Sequence, residues 1–332
     1  MASLGPACWR AICLGLGMNT FIRLAEVWTP TEDGVSLELS SGLFPGAAAF
    51  EAITRQMIFA RGEGLPGRAW EVGHPLMMRE LSGSYFKRAA AARALDLTCA
   101  VACPVFRGEA LQCVVVLLMG GAASSVGTVE LWRNDGRISS DMALVDGYFG
   151  ASGHAAELEA LTREGWLPRG AGAPGLAWQK GETVCIADIA RSRRFLRKEA
   201  ALALGIDRAL AVPCSVRGTS SWVLALLSAP STPIALRVEV WAQPPGQPDG
   251  LVRGSGFCES AGELPAGTVH KLEALGAIGT AWCTGVAQAS TVLPTPGTPA
   301  DATALQAIGA RSVLALPVLM DDAVNEVVAL YF

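Results

Sequence analysis

The chain has 332 residues, of which 51% are hydrophobic and 17% charged, and 26 Lys and Arg stand against 30 Asp and Glu. This apolar balance excludes a largely disordered chain, and the slightly acidic charge disfavours nucleic acid and anionic membranes as partners. The nine cysteines are too sparse for a disulfide scaffold, and an odd number cannot all pair within one chain, so we expect a cytoplasmic protein.

The first apolar stretch, residues 8–18, is predicted to be a buried strand. Arg10 interrupts it, it is far shorter than a membrane span, and it has no basic lead or clear cleavage site. We therefore expect no membrane anchor here.

Three kinds of landmark recur along the chain at nearly constant spacing, which is the signature of an internal repeat. They are an E-x-W segment ending at Trp28, Trp132 and Trp241; a G-x-x-G-x-A-W segment beginning at Gly64, Gly172 and Gly276; and a proline within an apolar run at Pro104, Pro213 and Pro317. Tryptophan is uncommon, so its recurrence in step indicates three copies of one unit.

Each copy is predicted to contain two strands, a helix, a loop, a short strand, a second helix and two final strands. In copy one, strand-like apolar residues lie on both sides of an Asp33-Gly34 turn, which predicts a hairpin. Apolar residues at helical spacing in 50–59 and an Ala-rich segment at 89–95 predict the two helices. Strand-like runs at 99–106 and 111–119 predict the two final strands. The two glycines of G-x-x-G-x-A-W are predicted to form a tight loop that the following tryptophan anchors. That loop is either purely structural or a lid over a pocket.

The spacing of the last strands predicts an exchange between copies. Trp9, Cys113 and Trp222 each lie nineteen residues before the tryptophan of an E-x-W segment, so residues 9–16 resemble the closing strand of a unit. We expect 9–16 to form a hairpin with 22–28, just as 113–132 and 222–241 should each form a hairpin, and this leaves 327–332 supernumerary. The alternatives are a fragment or a strand that only pads an edge. The predicted units are 1–127, including the closing strand 9–16, then 128–232 and 233–332.

The run G-E-G-L-P-G-R-A-W-E-V-G-H-P-L from Gly62, Phe86 before the Ala-rich helix, and A-V-A-C-P-V before a terminal strand resemble the core of GAF sensor domains. Copy three departs from this pattern, because Ile278 and Thr280 replace the Pro and Arg positions. The resemblance implies an α/β (α+β) chain of three tandem units, each an antiparallel sheet covered by helices. It also implies a small-molecule pocket on one face of the sheet and frequent dimerisation.

Copy one keeps the fullest motif, and we expect the pocket there, with copies two and three more occluded. Strand alternation places Cys99 and Cys103 on one face. If that face lines the pocket with Trp70, His74, Met77 and Met78, soft ligands for haem or a transition metal could meet there. Otherwise the cysteines are small core residues. The predicted ligand-binding residues are Gly64, Gly67, Trp70, His74, Met77, Cys99 and Cys103. The sequence does not identify a cofactor.

The sequence carries no P-loop, no H-E-x-x-H, no dinucleotide-binding fingerprint and no C-x-x-C spacing, and its three histidines occupy no equivalent positions. We therefore predict a non-catalytic module for small-molecule sensing or protein interaction in signal transduction. Its partners would be a small molecule and a second copy or a separate signalling protein. The resemblance leaves open a thiol enzyme that reduces free methionine sulfoxide, although its cysteine motifs are not visible. A structural scaffold is a third alternative.

Overall fold

The computed structural model describes residues 20–82, 84–120, 125–150, 155–291 and 301–332. In these ranges three antiparallel sheets follow one another along the chain, and helices cover each sheet. The chain is therefore α+β, and the three sheets correspond to the three GAF-like units. The predicted strand within 8–18 lies outside the described residues.

Unit 1 contains a six-stranded sheet of order β3-β2-β1-β6-β5-β4. Its elements are β1 (Ile22–Pro30), β2 (Ser36–Leu43), α1 (Ala48–Thr54), β3 (Ile58–Ala60), α2 (Gly64–Val72), β4 (Leu76–Met78), α3 (Ala89–Arg93), β5 (Leu97–Arg107) and β6 (Ala110–Gly120). The predicted hairpins β1–β2 and β5–β6 are present, since both pairs are antiparallel neighbours.

Unit 2 repeats this topology in a sheet of order β9-β8-β7-β12-β11-β10. Its elements are β7 (Gly127–Asn134), β8 (Met142–Tyr148), α4 (Ala156–Glu164), β9 (Trp166–Leu167), α5 (Gly172–Lys180), β10 (Val184–Ile186), α6 (Lys198–Ala203), β11 (Arg208–Cys214) and β12 (Ser221–Ser228).

Unit 3 keeps the strand order β15-β14-β13-β19-β18-β17 and adds β16 beside β14. Its elements are β13 (Arg237–Ala242), β14 (Gly250–Cys258), β15 (Gly262–Glu263), β16 (Val269–Lys271), a 3-10 turn (Leu272–Leu275), α7 (Ala277–Thr284), β17 (Gln288–Thr291), α8 (Asp301–Ala307), β18 (Ser312–Met320) and β19 (Ala323–Tyr331). Where units 1 and 2 have a first helix, unit 3 has the short strands β15 and β16.

The three E-x-W tryptophans occupy equivalent places, as the repeat predicted. Trp28 pairs with Val114, Trp132 with Val223 and Trp241 with Val327. In each unit the pairing of the opening strand with the strand after it shifts register immediately before the tryptophan. The three-sheet architecture is thereby confirmed.

The predicted exchange of closing strands is wrong. Val129 pairs with Leu226 of its own unit, and β6 instead lies between β1 and β5. β19 is not supernumerary, because it pairs with both β13 and β18. The reason is that each last strand is a central strand with an apolar run buried on both faces, and it needs the opening strand of its own unit to complete its hydrogen bonds. Residues 9–16 lie outside the described residues.

The G-x-x-G-x-A-W segment is a helix rather than the predicted loop. Gly64 opens α2 with φ +59°, a conformation that favours glycine, and Gly73 ends the helix in the left-handed region at φ +77°. Gly67 permits close packing on β3, since a Cβ there would lie 2.1 Å from the Ala60 carbonyl oxygen. Gly64 therefore begins the helix, and Gly67 lets it pack closely against β3.

The helix-free faces of the three sheets pack on one another in a shared inner core, to which equivalent residues Val115, Leu224 and Val328 contribute. The helix-covered faces form three separate outer cores. The edges also meet in cyclic order: β4 approaches β8 through Arg79 and Asp146, β10 lies beside β14, and β17 lies beside β2. The units therefore close into a ring.

Among the described residues, none of the helices combines the length and apolar character required to cross a bilayer.

Candidate functional site

The helix-covered face of unit 1, where the resemblance places a pocket, holds a buried ion pair. Glu26 is fully buried and accepts a hydrogen bond from Trp28 Nε1 at 2.9 Å and another from Arg88 Nη2 at 3.0 Å. Arg88 also donates to Thr54 Oγ1 at 2.6 Å. These bonds satisfy the carboxylate, which would otherwise be costly to bury.

Aromatic rings fill the space around this ion pair. The Arg88 guanidinium carbon lies 4.7 Å from the ring centre of Phe50 and 5.1 Å from that of Phe86. Phe59 meets Trp28 edge to face, with ring centroids 4.9 Å apart. The protein's own side chains therefore occupy the volume between the sheet and helices of unit 1.

Unit 2 repeats the arrangement. Glu130 is buried and accepts from Trp132 Nε1 at 2.8 Å and from Arg197 Nη2 at 2.8 Å, and Arg197 also donates to Thr162 Oγ1. No role was predicted for these arginines from the sequence, although the sequence carries a signal for them. F-x-R ends at Arg88 and again at Arg197, just before each Ala-rich helix.

Unit 3 keeps the glutamate and tryptophan but changes the cation. Trp241 Nε1 donates to Glu239 at 3.0 Å, and the tyrosine hydroxyl of Tyr331 donates to it at 2.8 Å. The arginines that contact Glu239 are Arg237, on the same strand, and Arg253, on the neighbouring strand β14.

The seven predicted ligand-binding residues do not form one pocket, because the sheet of unit 1 separates them. Gly64 and Gly67 pack against β3 on the helix-covered side, and Trp70 packs on the outer core there. Met77, Cys99 and Cys103 belong to the inner core. Alternation along β5 does place both cysteines on one face, but that face points away from Trp70.

His74 contacts unit 2. Its ring stacks on Trp222 with a centroid distance of 4.4 Å and an interplanar angle of 11°, and its Nδ1 lies 3.0 Å from the Pro75 carbonyl oxygen. Trp222 is the equivalent of Cys113 and Glu326, which receive hydrogen bonds from Ala287 N at 3.4 Å and Thr183 N at 2.5 Å. The last strand of each unit thus contacts a neighbouring unit, just before that unit's edge strand. β12 contacts unit 1 before β4, β19 contacts unit 2 before β10, and β6 contacts unit 3 before β17.

The buried thiols are poor nucleophiles. Burial raises the pKa of Cys113 to about 12 and that of Cys185 to about 12, and burial also raises the pKa of Cys99. A thiol must lose its proton to attack, so these groups are predominantly in the unreactive form at neutral pH. The described residues include no group of three or more His, Cys, Asp or Glu placed to hold a metal ion.

A cleft of about 710 Å³ lies where unit 1 meets unit 2. Thr98 Oγ1 and the Tyr148 hydroxyl are 2.8 Å apart at its wall, and Arg79 Nε lies 3.3 Å from Asp146 Oδ1. Burial raises the pKa of Tyr148, so its hydroxyl keeps its proton at neutral pH. The full lining is Arg79, Glu80, Thr98, Gly147, Tyr148, Phe149, Gly150 and Glu159.

A second cavity of about 360 Å³ lies in unit 2, between the start of β7 and helices α4 and α6. Phe149 lines both this cavity and the cleft. This differs from the expectation that copy two is more occluded than copy one. The helix-covered side of unit 1 is filled by large aromatic residues and Arg88.

No family model matches the chain, and no curated protein matches it. Solved structures similar to part of it include the nlh2 GAF domain of A. aeolicus, with 17% identity, TM-score 0.25, 30% of this chain and 59% of that chain covered. The free methionine-R-sulfoxide reductase of Neisseria meningitidis, in complex with its substrate, has 21% identity, TM-score 0.24, and coverage of 32% and 53%. For both proteins the match covers less than two thirds of their length.

A third similar structure is the Staphylococcus aureus NreA protein mutated in its nitrate binding site, with 16% identity, TM-score 0.26, 33% of this chain and 79% of that chain covered. Each of these likenesses extends over about one third of the chain, and none at this TM-score bears on activity.

Proposed function

We propose that this chain is a non-catalytic binding module of cytoplasmic signal transduction that holds a small polar molecule in the cleft between units 1 and 2. The observation that carries the proposal is the cleft itself. Its volume of about 710 Å³ falls within the range of small-molecule sites. Two hydroxyls, one guanidinium and two carboxylates line it, so it offers both donors and acceptors to a polar ligand.

The pKa values of three thiols argue against the reductase reaction. A sulfoxide reductase needs a cysteine that is ionised or readily ionised, whereas burial raises the pKa of Cys99, Cys113 and Cys185. The similar methionine-R-sulfoxide reductase therefore gives no reason to assign its reaction to this chain.

The position of the cleft suggests how binding would be transmitted. Thr98 and Arg79 belong to unit 1, while Tyr148 and Asp146 belong to unit 2. A ligand that contacts both units would favour the arrangement in which they are closest, and it would shift the population toward that arrangement. A second copy of the chain, or a separate signalling protein, would then recognise the relative arrangement of units 1 and 2.

The test is a thermal-shift screen of small polar metabolites on the full chain. We expect a ligand that raises Tm, and Thr98→Val with Tyr148→Phe should weaken its binding about tenfold through the loss of hydrogen bonds. Arg55→Ala is the matched control, because Arg55 forms an exposed ion pair with Glu51 away from the cleft. A shift that the double variant leaves unchanged would place the ligand elsewhere.

A turnover assay separates the alternatives. The wild-type chain is mixed with free methionine sulfoxide and thioredoxin, and we expect no reduction above the rate without protein. Reduction that a cysteine substitution abolishes would instead establish the thiol enzyme. A screen in which no metabolite changes Tm would favour the structural scaffold.

A further inference from the structure

The centre of the ring is formed by one strand from each unit. β5, β11 and β18 approach one another there, at the three prolines Pro104, Pro213 and Pro317. Phe106 N donates to the Ser215 carbonyl oxygen at 2.9 Å, and Leu319 N donates to Ser215 Oγ at 2.8 Å. These bonds join unit 1 to unit 2 and unit 2 to unit 3 immediately beside the prolines.

The prolines surround a cavity of about 50 Å³ whose lining is almost entirely apolar. A cavity of this size has room for a molecule as small as water. Two sulfur atoms are the reactive groups in its wall: Cys103 precedes the proline of unit 1, and Cys214 follows the proline of unit 2. In unit 3 the equivalent positions carry Leu316 and Val318.

The two thiols face the same cavity from different units. Contact with the Cys214 thiol, together with burial, holds the pKa of the Cys103 thiol well above its usual range. Both residues are half-buried and line the cavity. Cys99 and Cys113, in contrast, are fully buried.

We propose that Cys103 and Cys214 form a reversible disulfide that links unit 1 to unit 2 when the protein meets a peroxide. One cysteine, as the thiolate, attacks a peroxide oxygen and becomes a sulfenic acid, and hydroxide leaves. The second sulfur then attacks the sulfenic sulfur, the S–S bond forms and water leaves. Overall two thiols and one hydrogen peroxide give one disulfide and two waters. A dithiol then reduces the disulfide back to two thiols and is itself oxidised to a disulfide.

The apolar lining favours this chemistry over metal binding by the same pair. The dithiol and the disulfide are both neutral, whereas two thiolates around a monovalent metal ion would place a net charge in an apolar cavity. The raised pKa of the Cys103 thiol makes its attack slow at neutral pH, and its reaction should accelerate as pH rises. The inference goes beyond the proposed ligand site and does not depend on it.

The disulfide would cross-link units 1 and 2, the same two units between which the cleft lies. Cross-linking distant positions restricts the unfolded chain and so stabilises the folded one. In the oxidised form, the ring can no longer open between units 1 and 2 at its centre.

The test uses the full chain, fully reduced and then treated with hydrogen peroxide at pH 7 and pH 9. Peptide mapping by mass spectrometry without reductant should yield a Cys103–Cys214 cross-linked peptide, formed faster at pH 9 and removed by dithiothreitol. The thermal unfolding midpoint should rise on oxidation and return on reduction. Cys283→Ser is the control variant, since Cys283 is exposed and its removal should leave the cross-link intact.

Cys103→Ser and Cys214→Ser should each abolish the cross-link, with circular dichroism confirming that both variants fold. Wild-type protein in which Cys103 and Cys214 stay unlinked, or are oxidised separately to sulfinic acids, would overturn the inference. A cross-link that instead joins either residue to a third cysteine would overturn it as well. Because the wild type supplies the decisive result, the test does not depend on a variant that fails to fold.

Discussion

Units 1 and 3 bury the same glutamate in different ways. In unit 1 the cation is Arg88, which lies just before α3, so the ion pair ties the helical layer to the sheet. In unit 3 the cations Arg237 and Arg253 belong to β13 and β14, so the ion pair lies within the sheet. The E-x-W pair therefore belongs to the sheet, and the position of its cation decides whether the ion pair links the sheet to the helical layer.

This difference accounts for the divergence of unit 3. Thr54, at the end of α1, completes the cluster in unit 1 by accepting a hydrogen bond from Arg88. Once strand arginines satisfy Glu239, no helical residue is needed at that point. The short strands β15 and β16 occupy the place of the first helix without leaving the carboxylate unpaired.

The largest effect should come from removing the cation of unit 1. Arg88→Met leaves Glu26 buried without its positive partner, and the free energy of unfolding should fall by about 3–5 kcal/mol in urea denaturation. Arg55→Met, which breaks only an exposed ion pair, should cost under about 1 kcal/mol. The double variant Glu26→Leu with Arg88→Met should recover part of the loss, because no unpaired charge remains. Equal losses of stability for Arg88→Met and Arg55→Met would show that the buried ion pair contributes no more than the exposed one.

The next effect concerns pH, at the junction of units 2 and 3. Burial raises the pKa of Glu326 from 4.5 to about 7, although it accepts hydrogen bonds from Thr183. The folded state therefore binds more protons than the unfolded state between these values, and stability falls as pH rises through this window. The expected loss is about 3 kcal/mol.

Glu326→Gln should flatten this part of the stability curve, measured by urea denaturation from pH 4.5 to 7.5. Glu259→Gln is the comparison variant, because burial also raises the pKa of Glu259 to about 7 beside Arg208. The two slopes should add. A Glu326→Gln variant with the full wild-type slope would contradict the assignment to this carboxyl.

A smaller effect is expected in unit 3. Arg253→Met removes one cation from Glu239 but leaves Arg237 in contact with it, so the loss should be about 1.5–3 kcal/mol, that of a hydrogen bond to a charged group. Urea denaturation beside Arg88→Met provides the comparison. A larger loss for Arg253→Met than for Arg88→Met would show that unit 3 depends on a single cation after all.

The smallest effect should follow from Thr54→Val, which keeps the shape of the side chain and removes the hydroxyl that Arg88 contacts. We expect a loss of about 1–2 kcal/mol, because the hydroxyl accepts a hydrogen bond from Arg88 and donates one to the Phe50 carbonyl oxygen. Thr162→Val in unit 2 should behave alike, because Arg197 contacts Thr162 in the same way. Thermal unfolding of the two variants side by side checks whether units 1 and 2 are equivalent. A loss of stability in only one variant would show that they are not.

The repeat and the hairpins could be predicted from sequence because they depend on local signals. The tryptophans recur in step, and Asp33-Gly34 marks a turn between two strand-like runs. The helix α2 could not, since its glycines normally disfavour helices and only the close approach to Ala60 explains them. A tertiary contact overrode the local preference.

The site was less predictable for the same reason. Alternation placed Cys99 and Cys103 together, but which face of the sheet receives the helices is decided by how whole units pack. The stacking of His74 on Trp222 likewise depends on the ring of three units, because these residues are far apart in sequence. The partner of Glu26 was within reach, through the repeated F-x-R before the Ala-rich helices.

The most direct test of the proposed ligand site is a crystal structure of the full chain with the metabolite that gives the largest thermal shift. We expect ligand density in the cleft between units 1 and 2, within hydrogen-bonding distance of the Tyr148 hydroxyl or Thr98 Oγ1, with Arg88 still paired to Glu26. Density on the helix-covered side of unit 1, with Arg88 displaced from Glu26, would contradict it.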